Sequence, residues 1–485
     1  MNLTLRPAHL LIGPWMALVL MTEVIGRSEE AQPVTIDFAQ SNGVIRPLHG
    51  VNLGPLCYRG VVDLSAYHRE LGIPLTRLHD VVWVNGDAVD ISTIFRDFRN
   101  DPSQPASYDF RTTDDYLRAI TNVGSRIVYR LGESIEHTPR KYRVHPPPNP
   151  EKWAEICLGI ILHYNEGWAD GFRHNIQYWE IWNEPDIGPA MWTGSEEEFL
   201  QLYEITARAI KTRFPGVKVG GPAIGGTGDF KNGEFQPARF LTNFLARCQQ
   251  RGVPLDFFSW HRYTSDPWDL PRRARAMRAL LDKYGFTRTE SHLNEWNYLP
   301  RDDWRPMLKD GQGAAQEKWY DEMGGPAGAA FAVCALTLLQ DAPLDAANFY
   351  TGEIQGFGLF TINGAPKKTY FGFKAFRGLL DTPLRVPASG ATAGQFTVAA
   401  GLNARRTQAS ILASQFQPAS APHRLKLRGL PWSGSTRCEV FAVDAGHDLA
   451  SIRHVQLEGA EPVIVLEGKT PTVWLVTLRP MVGER

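Results

Sequence analysis

From about Leu48 to Gly378, short apolar runs alternate with longer, helix-like stretches. The runs Leu48–Leu53, Pro74–His79, Arg126–Leu131, Ile176–Asn183, Val217–Gly221, Phe257–His261, Ser291–Glu295 and Ala346–Tyr350 are expected as strands. Between them lie helical segments such as Glu196–Arg213, Pro237–Arg251 and Leu270–Tyr284. Ser195 precedes the first of these and Glu198 follows it by three residues, the spacing of a capping box. Eight strands alternating with helices predict an α/β fold, a (β/α)8 TIM barrel. A doubly wound sheet is the rival, but it calls for a glycine-rich phosphate turn after an early strand. The run from Gly220 to Gly228 follows a late strand, lacks that spacing and has no P-loop lysine, so it is expected as a flexible loop.

After Asp381 the texture changes. Short strand-like segments (Gln395–Ala400, Gln408–Ser414, Arg424–Leu427, Cys438–Val443, Pro462–Leu466 and Thr472–Leu478) are separated by Gly, Pro, Ser and Asn. This pattern predicts an accessory C-terminal β-sandwich domain, with Val34–Phe38 adding a strand at its edge. The expected organisation is a signal peptide and leader over 1–32, a strand joining the sandwich over 33–45, a catalytic barrel over 46–380 and the sandwich over 381–485.

Charge narrows the function classes. Lys and Arg number 51 against 52 Asp and Glu, and no basic run stands out, which argues against a nucleic-acid partner. The leader has Arg6 before an apolar run from Leu10 to Met21 that is too short for a comfortable membrane span, so a secreted or periplasmic protein is expected. An uncleaved signal anchor stays open as the alternative, and no other stretch is expected in a membrane. The cysteines Cys57, Cys157, Cys248, Cys334 and Cys438 are odd in number and widely spaced, which fits neither a disulfide framework nor a metal site.

The chemistry concentrates at two strand ends. In Tyr178–Asp186 an apolar strand ends in Asn183-Glu184-Pro185, where proline halts the ladder and leaves Glu184 at the barrel mouth. Asn294-Glu295-Trp296-Asn297 ends the seventh run in the same way. Two carboxyls facing one mouth suit glycoside hydrolysis, where one protonates the leaving oxygen and the other attacks the anomeric carbon.

These motifs resemble those of glycoside hydrolase family 39, which includes β-xylosidases and α-L-iduronidases. The resemblance runs through Arg77-Leu78-His79, Glu180 to Asp186, Gly220-Gly221-Pro222-Ala223, Trp260 to Tyr263, Asn294 to Asn297 and Gly358 to Phe373. It implies a retaining hydrolase with Glu184 as acid/base and Glu295 as nucleophile. It also implies that Asn183 holds the sugar 2-hydroxyl, and that His261, Tyr263, His79 and Arg77 surround the substrate. Family members often have Thr-Glu-Phe-Asn around the nucleophile, and the departure here leaves the sugar open. A β-xylosidase-like activity on a polysaccharide or oligosaccharide leads, with arabinosidase and iduronidase next.

Other residues carry competing readings. Glu180 points into the barrel and needs a partner, with Arg77 the candidate. His79 and His261 lack a third ligand at metal spacing, so neither metal nor cofactor is expected. Trp296 and Trp192 have a claim on a sugar face, whereas Trp182 and Trp260 suit the core. Asp186 and Glu133 suit either polar substrate groups or local caps. Asp80 is expected to order the loop after His79. Arg140, Lys141 and Arg143 are expected on a solvated face, with an acidic sugar as their other reading. A non-catalytic carbohydrate-binding barrel and a transglycosylase remain the rival functions, and the oligomeric state is unknown.

Overall fold

A computed structural model of the chain describes residues 34–481, apart from 58–59, 84–85, 309–310, 419–421 and 469–470. The expected leader lies outside the described residues.

A closed parallel barrel forms from Gly50–Asn52, Leu75–Leu78, Arg126–Leu131, Tyr178–Ile181, Lys218–Ile224, Phe257–Thr264, Glu290–Tyr298 and Ala346–Phe349, each beside its neighbour in sequence. Each expected run thus supplies one barrel strand. Helix Glu196–Arg213 has the expected ends, and both halves of its Ser195–Glu198 capping box are present. The glycine-rich run differs from expectation. Gly220 and Gly221 lie within the fifth strand, and Gly228–Lys231 pairs with Glu234–Pro237 as a hairpin. A side chain at Gly220 would have its Cβ 2.1 Å from the Phe257 carbonyl oxygen, so close strand packing, not flexibility, requires glycine there.

The C-terminal region forms two sheets, one of six strands and one of four. Val34–Asp37 runs parallel to His423–Arg428 on one side and antiparallel to Ala388–Ser389 on the other. The sequence reading missed Asp448–Leu457, the outermost strand of the larger sheet. It is exposed along most of its length and so lacks an apolar alternation.

The barrel's core continues onto one face of the larger sheet, while the two sheets enclose a second core between them. Helix Pro326–Leu338 is apolar all round, because it lies between the barrel and the larger sheet. Ser414 Oγ donates to the carbonyl of Ala330 within it at 2.9 Å. Among the described residues no single helix is long and apolar enough to cross a membrane. The five cysteines are buried and unpaired. Leu475 belongs to the shared core and approaches helix Lys368–Leu379 so closely that a Cβ at Gly378 would lie 2.7 Å from its Cδ2.

Leu475→Ala is therefore expected to cost about 2–5 kcal/mol in denaturant unfolding. Barrel and sandwich should still melt in one transition. Two separate transitions in the wild type would show that the shared core does not couple them.

Candidate active site

The barrel mouth is built from strand ends held out of regular geometry. After Ile181, Trp182 and Glu184 adopt left-handed backbone with φ of 71° and 45°. Asp80 (φ 55°), after the second strand, and Ala223 (φ 54°), near the end of the fifth, do the same. Such non-glycine conformations cost on the order of 1–3 kcal/mol each and persist where surrounding contacts impose them. Here the Glu184 N–H donates to the Ala223 carbonyl at 2.9 Å, and the Trp182 N–H to that of Leu131 at 2.7 Å. Those bonds fasten the end of the fourth strand to both neighbours.

On the seventh strand the pairing to the sixth slips between Leu293 and Glu295, leaving Asn294 as an extra, bulged residue. In a regular strand Asn294 and Glu295 would face opposite ways. The bulge lets both reach inward. Asn294 Nδ2 donates to Glu180 Oε1 at 2.5 Å, and Glu295 meets Arg77 and Tyr263. Across from them, two-residue alternation aims both His261 and Tyr263 into the mouth.

Arg77 is fully buried and joins these pieces. Its Nε donates to Glu180 Oε2 at 2.6 Å and its Nη1 to Glu295 Oε1 at 2.8 Å and Asn52 Oδ1 at 3.1 Å. Its Nη2 donates to Asn183 Oδ1 at 2.6 Å. Glu180 thus has the expected partner. With its hydrogen bonds committed to protein groups, Arg77 positions the site beneath the cleft and does not line it.

The cleft has a volume of about 490 Å³. Its floor includes His79, Asp80, Glu184, His261, Tyr263, Glu295 and Tyr350. One carboxyl oxygen of Glu184 and one of Glu295 lie within 4.8 Å of each other and of a His261 nitrogen. His261 Nδ1 is 2.8 Å from Glu184 Oε1 and 3.4 Å from Glu295 Oε2, and Tyr263 donates to the latter oxygen at 2.8 Å. The three donors are near enough to share a cation, but the Arg77 guanidinium on Glu295 repels one.

The two carboxyls meet different surroundings. Burial, helped by the charge of Asp186, pushes the Glu184 carboxyl up to about 8. Burial raises Glu295 too, but the Arg77 guanidinium and the Tyr263 hydroxyl act against it. Burial also lowers His261 to about 4, so its ring is neutral near pH 7. Asp186 accepts from the backbone N–H groups of Gly225 and Gly226 at 3.1 and 2.7 Å, binding the loops after strands four and five together. A Cβ at Gly225 would lie 2.7 Å from Glu184 Oε1, so glycine leaves the Glu184 carboxyl its space.

Several sequence expectations change. Trp296 was expected at a sugar face, yet it is fully buried and packs on Phe349 and Phe373 at 5.2 and 6.5 Å between centroids. Alternation beyond the bulge turns it to the outer side of the barrel, beneath a helix. Trp192 is likewise core, edge-on to Trp182 at 5.0 Å. Asn183 is buried at the Arg77 network with its Nδ2 unpartnered. His79 lies 3.1 Å from Asp80, which also accepts from the Ile135 N–H and the Tyr350 hydroxyl. Asp80 therefore both orders the loop and lines the cleft. Glu133 accepts from the backbone and hydroxyl of Ser92 and does not line the cleft. Arg143 pairs with Asp87 and Asp90, and Lys141 donates to nearby carbonyls. The sequence reading missed Tyr350, Ile187 and Trp304, which also line the cleft. Tyr350 follows the eighth strand, so strand-end position would have found it, whereas Trp304 lies in an irregular loop with no such signal.

Fold and cleft define a class: a (β/α)8 barrel presenting a buried carboxyl pair at the ends of its fourth and seventh strands. The chain belongs to the glycosyl hydrolases family 39, whose sequence profile matches residues 62–384. It is 29% identical over 264 residues to a β-xylosidase of Geobacillus stearothermophilus, covering 50% of this chain and 49% of that one. It is 26% identical over 354 residues to a β-xylosidase of Caldicellulosiruptor saccharolyticus, covering 64% and 63% respectively. The chain thus spans about half to just under two thirds of the length of these relatives. The crystal structure of a glucosidase from Croceicoccus marinus shares the fold with a TM-score of 0.76 and 24% identity, covering 93% of this chain and 99% of that one.

Two outcomes follow from this geometry. Arg77→Met strands Glu180 and should cost about 3–5 kcal/mol in denaturant unfolding, and a loss under about 1 kcal/mol would show that the pair is not a structural hub. Asp186→Asn removes a charge that favours the protonated form of Glu184. The infrared band of that protonated carboxyl should then disappear at a pH lower by about half a unit or more, whereas an unmoved titration would remove Asp186 as a cause.

Proposed function

We propose that the protein is a retaining glycoside hydrolase, β-xylosidase-like, with Glu184 as acid/base and Glu295 as nucleophile. The observation that carries this reading is the close carboxyl pair in unequal surroundings. The oxygen separation within 4.8 Å fits the roughly 5–5.5 Å carboxyl spacing of double displacement better than the roughly 6.5–9.5 Å that leaves room for an intervening water.

With its carboxyl near 8, Glu184 holds its proton at neutral pH and can give it to the glycosidic oxygen. If the His261 Nδ1–H donates to Glu184 Oε1, the acid proton stays on Oε2 and free for the leaving group. That tautomer also leaves His261 Nε2 without a proton, which suits its lack of a partner. Glu295, whose charged form Arg77 and Tyr263 favour, attacks the anomeric carbon and carries the glycosyl group. Glu184, now deprotonated, then takes a proton from the water that releases the sugar. Arg77 holds the Asn183 oxygen, which fixes the orientation of the buried Nδ2 donors beside the pair.

Substrate class follows from charge. Arg262 is the one Lys or Arg lining the cleft among the described residues, and Asp269 accepts from it at 2.7 Å. A neutral sugar suits this lining better than a uronic acid, and the names of the β-xylosidase relatives support a pentoside. The leader supports export.

A panel of aryl xylosides, arabinosides, galactosides, glucosides and iduronides tests the reading. The xyloside should be cleaved, with the product's initial anomeric configuration in NMR matching the substrate. Glu295→Gln should abolish release. Glu184→Gln should lower turnover of substrates with poor leaving groups by about 10²–10⁴-fold, and of activated aryl glycosides far less. Inverted product would overturn double displacement, and no cleavage of any glycoside, aryl or natural, would overturn the activity.

A further inference from the structure

The cleft changes character from floor to rim. Its floor is polar, whereas Ile187, Trp304, Met307 and Phe357 make much of the remaining wall apolar. Two of these are conspicuously exposed for their type, Ile187 at 45% and Trp304 at 42%. Neither is used in the chemistry described above.

Trp304 is held in place from several sides. Its ring lies edge-on to Tyr263 at 5.1 Å, and Tyr263 in turn donates to Glu295. Phe357 and Trp319 back it at 6.3 and 6.2 Å. The residues on either side clasp each other, Arg305 Nε and Nη2 donating to the two Asp303 carboxylate oxygens at 2.8 Å each. One residue earlier, Asp302 accepts from the Ser265 N–H at 2.8 Å and hydroxyl at 2.7 Å, tying this loop to the end of the sixth strand. The Met307 N–H donates to the Trp304 carbonyl at 2.9 Å, and the Tyr320 hydroxyl to the Met307 sulfur at 3.0 Å. An indole so anchored, yet left open to the cleft, is preorganised for stacking.

Position decides what stacks there. The sugar undergoing substitution must reach Glu295 and the hydrogen-bonding groups of the floor. The leaving group lies outward, where Glu184 protonates its oxygen. The solvent-exposed apolar rim is therefore on the path of the leaving group.

We infer that Trp304, with Ile187 on the fourth-strand side, is the aglycone platform, selecting leaving groups with a flat apolar face: an aryl ring or the C–H face of a second sugar. This rests on the glycosidase reading above.

The test compares wild type, Trp304→Ala and Trp304→Phe on three substrates that share the glycone the wild type accepts: the methyl glycoside, the aryl glycoside and the disaccharide. Trp304→Ala should raise KM for the aryl glycoside and the disaccharide by about three- to tenfold more than for the methyl glycoside, with little change in kcat. Trp304→Phe should recover most of the loss. Loss confined to the aryl glycoside or to the disaccharide assigns the platform to that ring alone. Equal loss on all three would overturn the inference, because Trp304 would then act through Tyr263 and Glu295. No loss on any would overturn it as well. If the wild type cleaves none of the three with any glycone, the activity itself falls, and the platform with it.

Discussion

A single buried guanidinium sets the geometry on which the rest depends. Arg77 comes from the second barrel strand and bonds Asn52 at the end of the first, Glu180 and Asn183 on and after the fourth, and Glu295 on the seventh. A lone cation in a barrel interior would be prohibitively costly, as would a lone carboxylate. Glu180 and Glu295 offset the charge of Arg77, and the planar donor fork holds their angles as well as their distances. Sequence-distant strand ends are thereby locked to one another.

That asymmetry also separates the two carboxyls. Arg77 and Tyr263 bond Glu295 directly, while Glu184 has a neutral imidazole as its near partner and Asp186 as a like-charged neighbour. Burial is common to both, so burial alone cannot divide their roles. The division comes from which carboxyl receives the cation. Had the guanidinium fork sat between them evenly, both would ionise together and neither would hold a proton for the leaving group.

Sequence reading reached this pair because proline and polar residues end apolar strands abruptly, and strand ends in a barrel share one face. Glu184 and Glu295 are legible for that reason, whereas His261 and Tyr263 came from the family resemblance, and two-residue alternation explains why they share a face. Trp296 was misplaced because the seventh strand was expected to end at Glu295, whereas it continues to Tyr298 and its alternation turns Trp296 outward into the core. Trp304 was invisible because its loop has no period to read. Asp448–Leu457 escaped because an outermost strand exposed along most of its length shows no apolar face. Each miss falls where tertiary contact, not local pattern, decides the outcome.

The sandwich, distant from the chemistry in sequence, bears on it through packing. Glu295 faces inward, so its neighbour Trp296 faces outward and lies against Phe373. Phe373 belongs to the helix whose Gly378 receives Leu475 of the larger sheet. Closely packed interiors transmit displacement instead of absorbing it. A shift of the sheet against that helix would therefore press on the strand carrying Glu295, and near-attack geometry tolerates little such movement. On this argument the sandwich is a brace for the strand that carries Glu295, and the continuous core through Leu475, Phe373 and Trp296 is what makes the brace effective.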